Sequence, residues 1–454
     1  MNRSLDPELA RFLKGELHSE ASRQLIRNLL LTWQRNRQDL EPMAFGEGEP
    51  LGAGAQQSPE TQSRDYDWAF ASPHPRLEEH AQRLAREREQ VPGLLEQLMV
   101  LPLVEQRALL RTDSRFRGWV FCERLVEECR KLVYIDPARA EELANLALTA
   151  AEQLEPRVYG RDLINDLKAR AWASVGEVLR SLSDLRSADD AFATAERLIG
   201  EGTGDALEEA CILELKASLR RDQRRIPEAH RLLDEAIAIY RQYRDFHLVG
   251  RGFAQKGRVH GAANDLEGAI RWLRKGLGLI DPTRERRLEL SARHSLMLYL
   301  QESGQHREAW FLLKASRPEF LEHGGPLLGL RLRWLEGKIQ QSMGFPEEAE
   351  HALVEARHGF IGQGIGFGAA MVSLDLATLY ASQNRATEMR QLAEEMLPVF
   401  HSRDLHREAI AALIVFQQAV RMEKVTVELL GEIRSYLRQA RKDHKLRFEY
   451  SSTF

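Results

Sequence analysis

The side chains best suited to chemistry are few and scattered. Cys122, Cys129 and Cys211 are the three cysteines. The first two lie seven apart and share a helix face, but no second Cys or His pair nearby completes a zinc set. They read as buried free thiols, and three cysteines make no disulfide framework, which suits a reducing compartment. Gly362, Gly364, Gly366 and Gly368 form GQGIGFG. A phosphate-cradling loop needs a preceding strand, and usually a lysine; neither is here, so the segment reads as a loop between repeats. The fourteen histidines include no pair at metal-ligand spacing with carboxylates beside it, and His401 and His406 read as solvated turn residues. No Walker loop, dinucleotide glycine fingerprint, nucleophile elbow or HExxH occurs. The expectation is a non-enzymatic chain with no catalytic residue, cofactor or metal.

The elements that must position any site are helices. Leu, Ala, Glu and Arg dominate, and these are strong helix formers. At 454 residues the chain is too long for one ordinary core unless it repeats a small unit. Apolar residues make up 43%, charged residues 29% and aromatics 7%. The net charge of −4 argues against a general polyanion binder. With no basic-then-apolar leader and no run near the ~20 apolar residues of a membrane span, a cytoplasmic protein without membrane contact is expected.

Internal spacing is the decisive signal. LRSADDAFATA, RRIPEAHRLLDEA, DLEGAIRWLRKG, QHREAWFLLKAS, FPEEAEHALVEA and RATEMRQLAEEM align on Ala188, Ala229, Ala269, Ala309, Ala349 and Met389, at intervals of 41, 40, 40, 40 and 40 residues. Apolar or small residues follow at +4 and +7, which places all three on one helix face. A second marker precedes each by twelve residues: Gly176, Ala217, Gly257, Met297, Gly337 and Ala377. Most are small enough for close helix approach. Gly304, Gly344-Phe345-Pro346 and Asn384 mark turns, and Pro227 and Pro346 open second helices, where a missing N–H costs nothing. A looser unit precedes them, with Asp136 and Pro137 capping a helix that carries Ala144, Leu148 and Ala151; residues 406–422 and 426–442 read as a last pair. Each unit is a helical hairpin that must stack on its neighbours.

The run Gly176, Leu179, Ala188, Phe192, Ala195, and again Gly337, Gly344, Ala349, Leu353, Ala356, resembles the tetratricopeptide repeat. The period of about 40 departs from the usual ~34 of that family, and the longer helices look like the sensor superhelices of bacterial regulators. The resemblance implies an all-α, right-handed α-solenoid over residues 119–442, with a tail at 443–454. At the other end, ELARFLKGELHSEASRQLIRNLLLTWQRN within residues 1–40 resembles the helical zinc-finger hairpin of bacterial anti-sigma factors. The places that bind zinc there hold Asn28, Trp33 and Asn36, none of them a convincing ligand. The resemblance implies a metal-free hairpin, and a sigma factor or another transcription component as partner. Residues 41–64, rich in Gly, Pro, Gln and Ser, read as a flexible tether. Residues 65–118 read as a helical cap: a polar helix, LEEHAQRLAREREQ, then an apolar pair broken at Pro102.

In this repeat class the first helix of each pair lines the groove. Counting from the markers places Arg170, Arg180, Arg221, Arg251, Arg258, His294, Gln301, Arg331, Trp334 and Lys338 there, against fewer acids: Glu177, Glu214, Asp222 and Glu302. Guanidinium groups bind carboxylates bidentately and Trp334 offers an apolar anchor. The expected function is an adaptor or regulator whose groove holds a protein or peptide client, acidic in character. The alternatives are that these cations pair with neighbouring Glu and Asp, or that the groove binds nucleic acid, which needs stacking aromatics.

Overall fold

The computed structural model describes residues 75–133, 135–395, 413–414, 416–417, 419–420 and 425–440. The hairpin proposed at 1–40, the tether at 41–64, the tail, and both His401 and His406 lie outside them. Among the described residues every regular element is helical and no strand occurs.

The chain divides into two compact units, with the boundary between Leu219 and Arg220. The first contains α1 (Pro75–Met99), α2 (Leu103–Thr112), α3 (Trp119–Leu132), α4 (Pro137–Glu152), the single turn α5 (Pro156–Tyr159), α6 (Arg161–Ser181), α7 (Leu185–Gly200) and most of α8 (Ala206–Asp222). The second contains α9 (Ile226–Gln242), α10 (Phe246–Ala262), α11 (Leu266–Leu279), α12 (Arg286–Glu302), α13 (His306–His323), α14 (Gly325–Ser342), α15 (Pro346–Gly362), α16 (Gly366–Ser382), α17 (Ala386–Glu394) and α18 (Val427–Ala440). Within the first unit α3 packs on α4, α4 on α6 and α6 on α7; within the second, each helix from α9 to α16 packs on the next, and α18 packs on α16.

The register read from the sequence is the register of the core. Ala188, Ala229, Ala269, Ala309 and Ala349 are fully buried, and Met389 nearly so. The upstream markers meet the +4 residues. A Cβ at Gly176 would lie 2.9 Å from the Phe192 ring, at Gly257 2.7 Å from Leu273, and at Gly337 2.7 Å from Leu353. Glycine is required there because the partner helix occupies the space.

The turns repeat just as regularly. Left-handed residues fall at Ser183, Arg224, Asn264, Gly304, Gly344 and Asn384. After each one the next amide bonds back five residues, for example Asp184 to Leu179, Asp265 to His260 and Phe345 to Gln340. This is the Schellman closure, which satisfies the last carbonyls of one helix and turns the chain into the next. Three non-glycine, non-Asn residues, among them Arg244, pay a left-handed strain that the hairpin contacts over-determine. The architecture is an all-α stack of tetratricopeptide-like hairpins.

Two local readings are corrected. The glycine segment is not a loop throughout: Gly362 ends α15, Gly364 takes the left-handed turn, and Gly366 and Gly368 belong to α16. Gly368 is there for space, since a Cβ would come within 2.7 Å of Phe360. Nor do the polar and apolar stretches before Pro102 separate. They form the one helix α1, which runs through Pro92. That proline is exposed while Val91, Leu94 and Leu98 are buried, so apolar burial on the other face offsets the lost hydrogen bond. Cys122 and Cys129 are buried free thiols, and burial pushes both up to about 12. Asp136 caps α4 through Arg139 N at 3.0 Å.

Candidate functional site

The first helices of the hairpins form their own row. In the second unit α10 touches α12, α12 touches α14 and α14 touches α16, because each turns its small marker toward its own second helix and its flank toward the next first helix.

In the first unit that row is neutralised. Arg170 on α6 reaches Glu208 Oε2 at 3.0 Å and Oε1 at 2.5 Å, and Glu123 at 3.0 Å, so one guanidinium ties α3, α6 and α8 together. Arg180 is buried against Glu177, at 2.8 and 2.6 Å. Glu214 is buried as well. Arg170 fastens three helices together, whereas the Arg180–Glu177 pair closes within α6.

The second unit differs. Arg221 pairs with Asp222 at 3.0 Å, and Arg251 donates to the Tyr240 hydroxyl at 3.1 Å while lying over its ring. Further along, Arg258 of α10 donates to Ser291 and Ser295 of α12, at 3.1 and 3.4 Å, and to Gln255 at 3.0 Å. His294 is on α12 as well. Burial, then the charges of Arg331, Arg258 and Lys338, push its imidazole down to about 4, against an opposing backbone hydrogen bond at Arg331. It is neutral at pH 7 because a proton there would be desolvated beside three cations. Its Nε2 is buried with no hydrogen-bond partner, as are Gln301 Oε1 and Gln340 Oε1. Gln301 Nε2 donates to Ser342 at 3.3 Å. Buried polar atoms are ordinarily satisfied, so three orphans on α12 and α14 mark a place with unmet hydrogen-bonding capacity.

Lys338 forms no ion pair among the described residues. Burial lowers its pKa; Asp375 and Glu302 oppose the shift, and Arg438 and Arg434 add to it. Trp334, one turn earlier on α14, donates its indole N–H to Asp375 Oδ2 at 2.7 Å and packs edge-on against Phe360.

Three residues here escaped the sequence reading. Asp375 is almost fully buried and also accepts from Arg434 of α18 at 2.7 Å. Arg438, one turn on, lies 3.8 Å from Glu302. The last helix thus places its arginines beside the first-helix row at α12, α14 and α16. Asp375 had a signal, as the lone carboxylate in the apolar run GFGAAMVSLDLATLY; the arginines had none. What holds α18 is apolar: Leu429, Leu430, Ile433, Tyr436 and Leu437 are all buried. At about 1.5–3 kcal/mol each, as an upper estimate, these contribute on the order of 10 kcal/mol. The loose, half-exposed Arg438–Glu302 pair contributes at most ~1 kcal/mol. Arg438 is therefore not needed to dock its helix.

No protein-family model matches the chain, and no curated protein matches it. Among solved structures, the chain is similar to the crystal structure of a Rap protein complexed with competence and sporulation factor. The TM-score is 0.48 at 13% identity, covering 71% of this chain and 92% of that one. Among the described residues no helix is long and apolar enough to cross a membrane.

Proposed function

We propose that the protein binds another protein or peptide along the first-helix face of α10, α12 and α14, and acts as an adaptor or regulator. The observation that carries this reading is the buried, unpartnered Nε2 of His294 on α12, the helix whose Ser291 and Ser295 receive Arg258 from α10. Maintaining like charges around a desolvated imidazole costs stability, and a bound anionic group offsets that cost. A nucleic-acid reading has less support, since Trp334, the aromatic it would need for stacking, is engaged with Asp375 and Phe360. Residues 1–40 enter this proposal as a second contact, and their anti-sigma likeness makes a transcription component the partner to test first.

The test is positional. A photoreactive residue at Gln301, on the face, should crosslink a partner in the native cell, and one at the exposed Arg271 on α11 should not. Replacing Arg251, Arg258 and Arg331 together with Glu should abolish that crosslink while helicity by circular dichroism is retained. Equal crosslinking from both positions, or capture unaffected by the triple variant, discards the reading.

A further inference from the structure

Every large buried side chain of α18 faces α16 and its neighbours, yet Arg434 and Arg438 extend over the first-helix row. Arg434 is committed to the buried Asp375. Arg438 is half-exposed, and its contact with Glu302 is long at 3.8 Å. Lys338 lies i+4 from Trp334 on α14, so the two share the face on which Asp375 receives both the indole and Arg434. Three cations, Lys338, Arg434 and Arg438, thus stand with two carboxylates, Asp375 and Glu302, and among the described residues the cluster carries one surplus positive charge. A buried lysine in that crowd, without an ion pair among the described residues, has desolvation that an added carboxylate would offset.

We infer that Lys338 and Arg438 together bind the acidic side chains of a client segment, so that the C-terminal helix is one wall of the recognition surface. Docking of α18 supplies the wall; the client's carboxylates complete the charge balance that the chain leaves open. The arrangement is rigid, because the wall is held by apolar packing that the ligand does not disturb. This inference rests on the protein-binding reading and names the chemistry of the segment bound.

The experiment uses the full chain and a fluorescein-labelled hexaglutamate amide, followed by fluorescence anisotropy at low salt. Lys338→Met and Arg438→Gln should each weaken binding about tenfold, the scale of one charge-assisted hydrogen bond. Arg231→Gln removes the same charge from an exposed second-helix pair and should leave binding unchanged. Raising the salt should weaken the wild-type complex as screening grows. Arg438 is exposed enough that Arg438→Gln should fold normally, so it carries the test if Lys338→Met does not. The proposal is overturned by any of three results: no hexaglutamate binding by wild type, equal binding by Lys338→Met, Arg438→Gln and Arg231→Gln, or preference for hexaalanine with a free C-terminus. The protein-binding reading fails separately, on absent or unselective crosslinking from Gln301.

Discussion

The two units spend the same repeat differently. In residues 75–219 the charged groups of the first-helix row close on one another: Arg170 spans Glu123 and Glu208, and Arg180 is buried against Glu177. In the unit that follows, the equivalent row leaves Lys338 without an ion pair among the described residues and sets cations near His294. An identical hairpin scaffold can therefore be finished as a fastening or left electrostatically open. Stability favours the first solution.

The largest expected effect tests how tightly the second unit is built around its open face. Gly250 and Gly276 let α10 and α11 approach backbone to backbone: a Cβ at Gly250 would lie 2.8 Å from Gly276 O and from Ile280 N. At Gly176 of the first unit the obstacle is the Phe192 ring, which can shift. Gly250→Val should cost about 3 kcal/mol or more in urea unfolding, and Gly176→Val about 1–3 kcal/mol. Equal costs would mean that α10 and α11 relax apart.

Next comes the charge contrast itself. Arg170→Met strands Glu123 and Glu208 near one another and should destabilise by about 2 kcal/mol. Lys338→Met removes an unpaired, desolvated cation and should leave the melting temperature unchanged or raise it. A loss of stability in Lys338→Met to match that of Arg170→Met would erase the distinction between the units.

A further effect concerns acid. His294 has its pKa depressed in the folded chain from 6.5 to about 4. The unfolded chain therefore binds the proton more readily. The stability tied to its neutral form is complete above pH 6.5 and is lost progressively as pH falls toward 4. His294→Gln should flatten the stability profile in that window, and NMR should find the imidazole titrating near 4. Binding of an acidic peptide should move that titration upward. A value near 6.5 in the free protein would mean that the imidazole is neither desolvated nor close to the cations.

Much of the fold was legible because its determinants are local. The alanine series at 40-residue intervals, the small markers twelve residues upstream, and the turns at Gly304, Gly344 and Asn384 all sit where the structure buries or bends them. GQGIGFG misled in part because glycine serves two purposes. One relieves a turn at Gly364 and another, Gly368, clears space for Phe360; composition does not separate these roles. The candidate site was half legible. Counting positions gave His294, Lys338, Arg170 and Arg180 the same standing, because counting identifies a face and not a partner.

The amino-acid sequence by itself determined the helices, their pairing into hairpins and which side of each is apolar, since a helix face depends on residues three and four apart. Tertiary structure alone decided which charges cancel. Arg434 meets an aspartate 59 residues away and Arg170 meets a glutamate 38 residues away. Such pairings follow from how hairpins stack, and an ion pair's strength depends on the burial and distance that stacking sets.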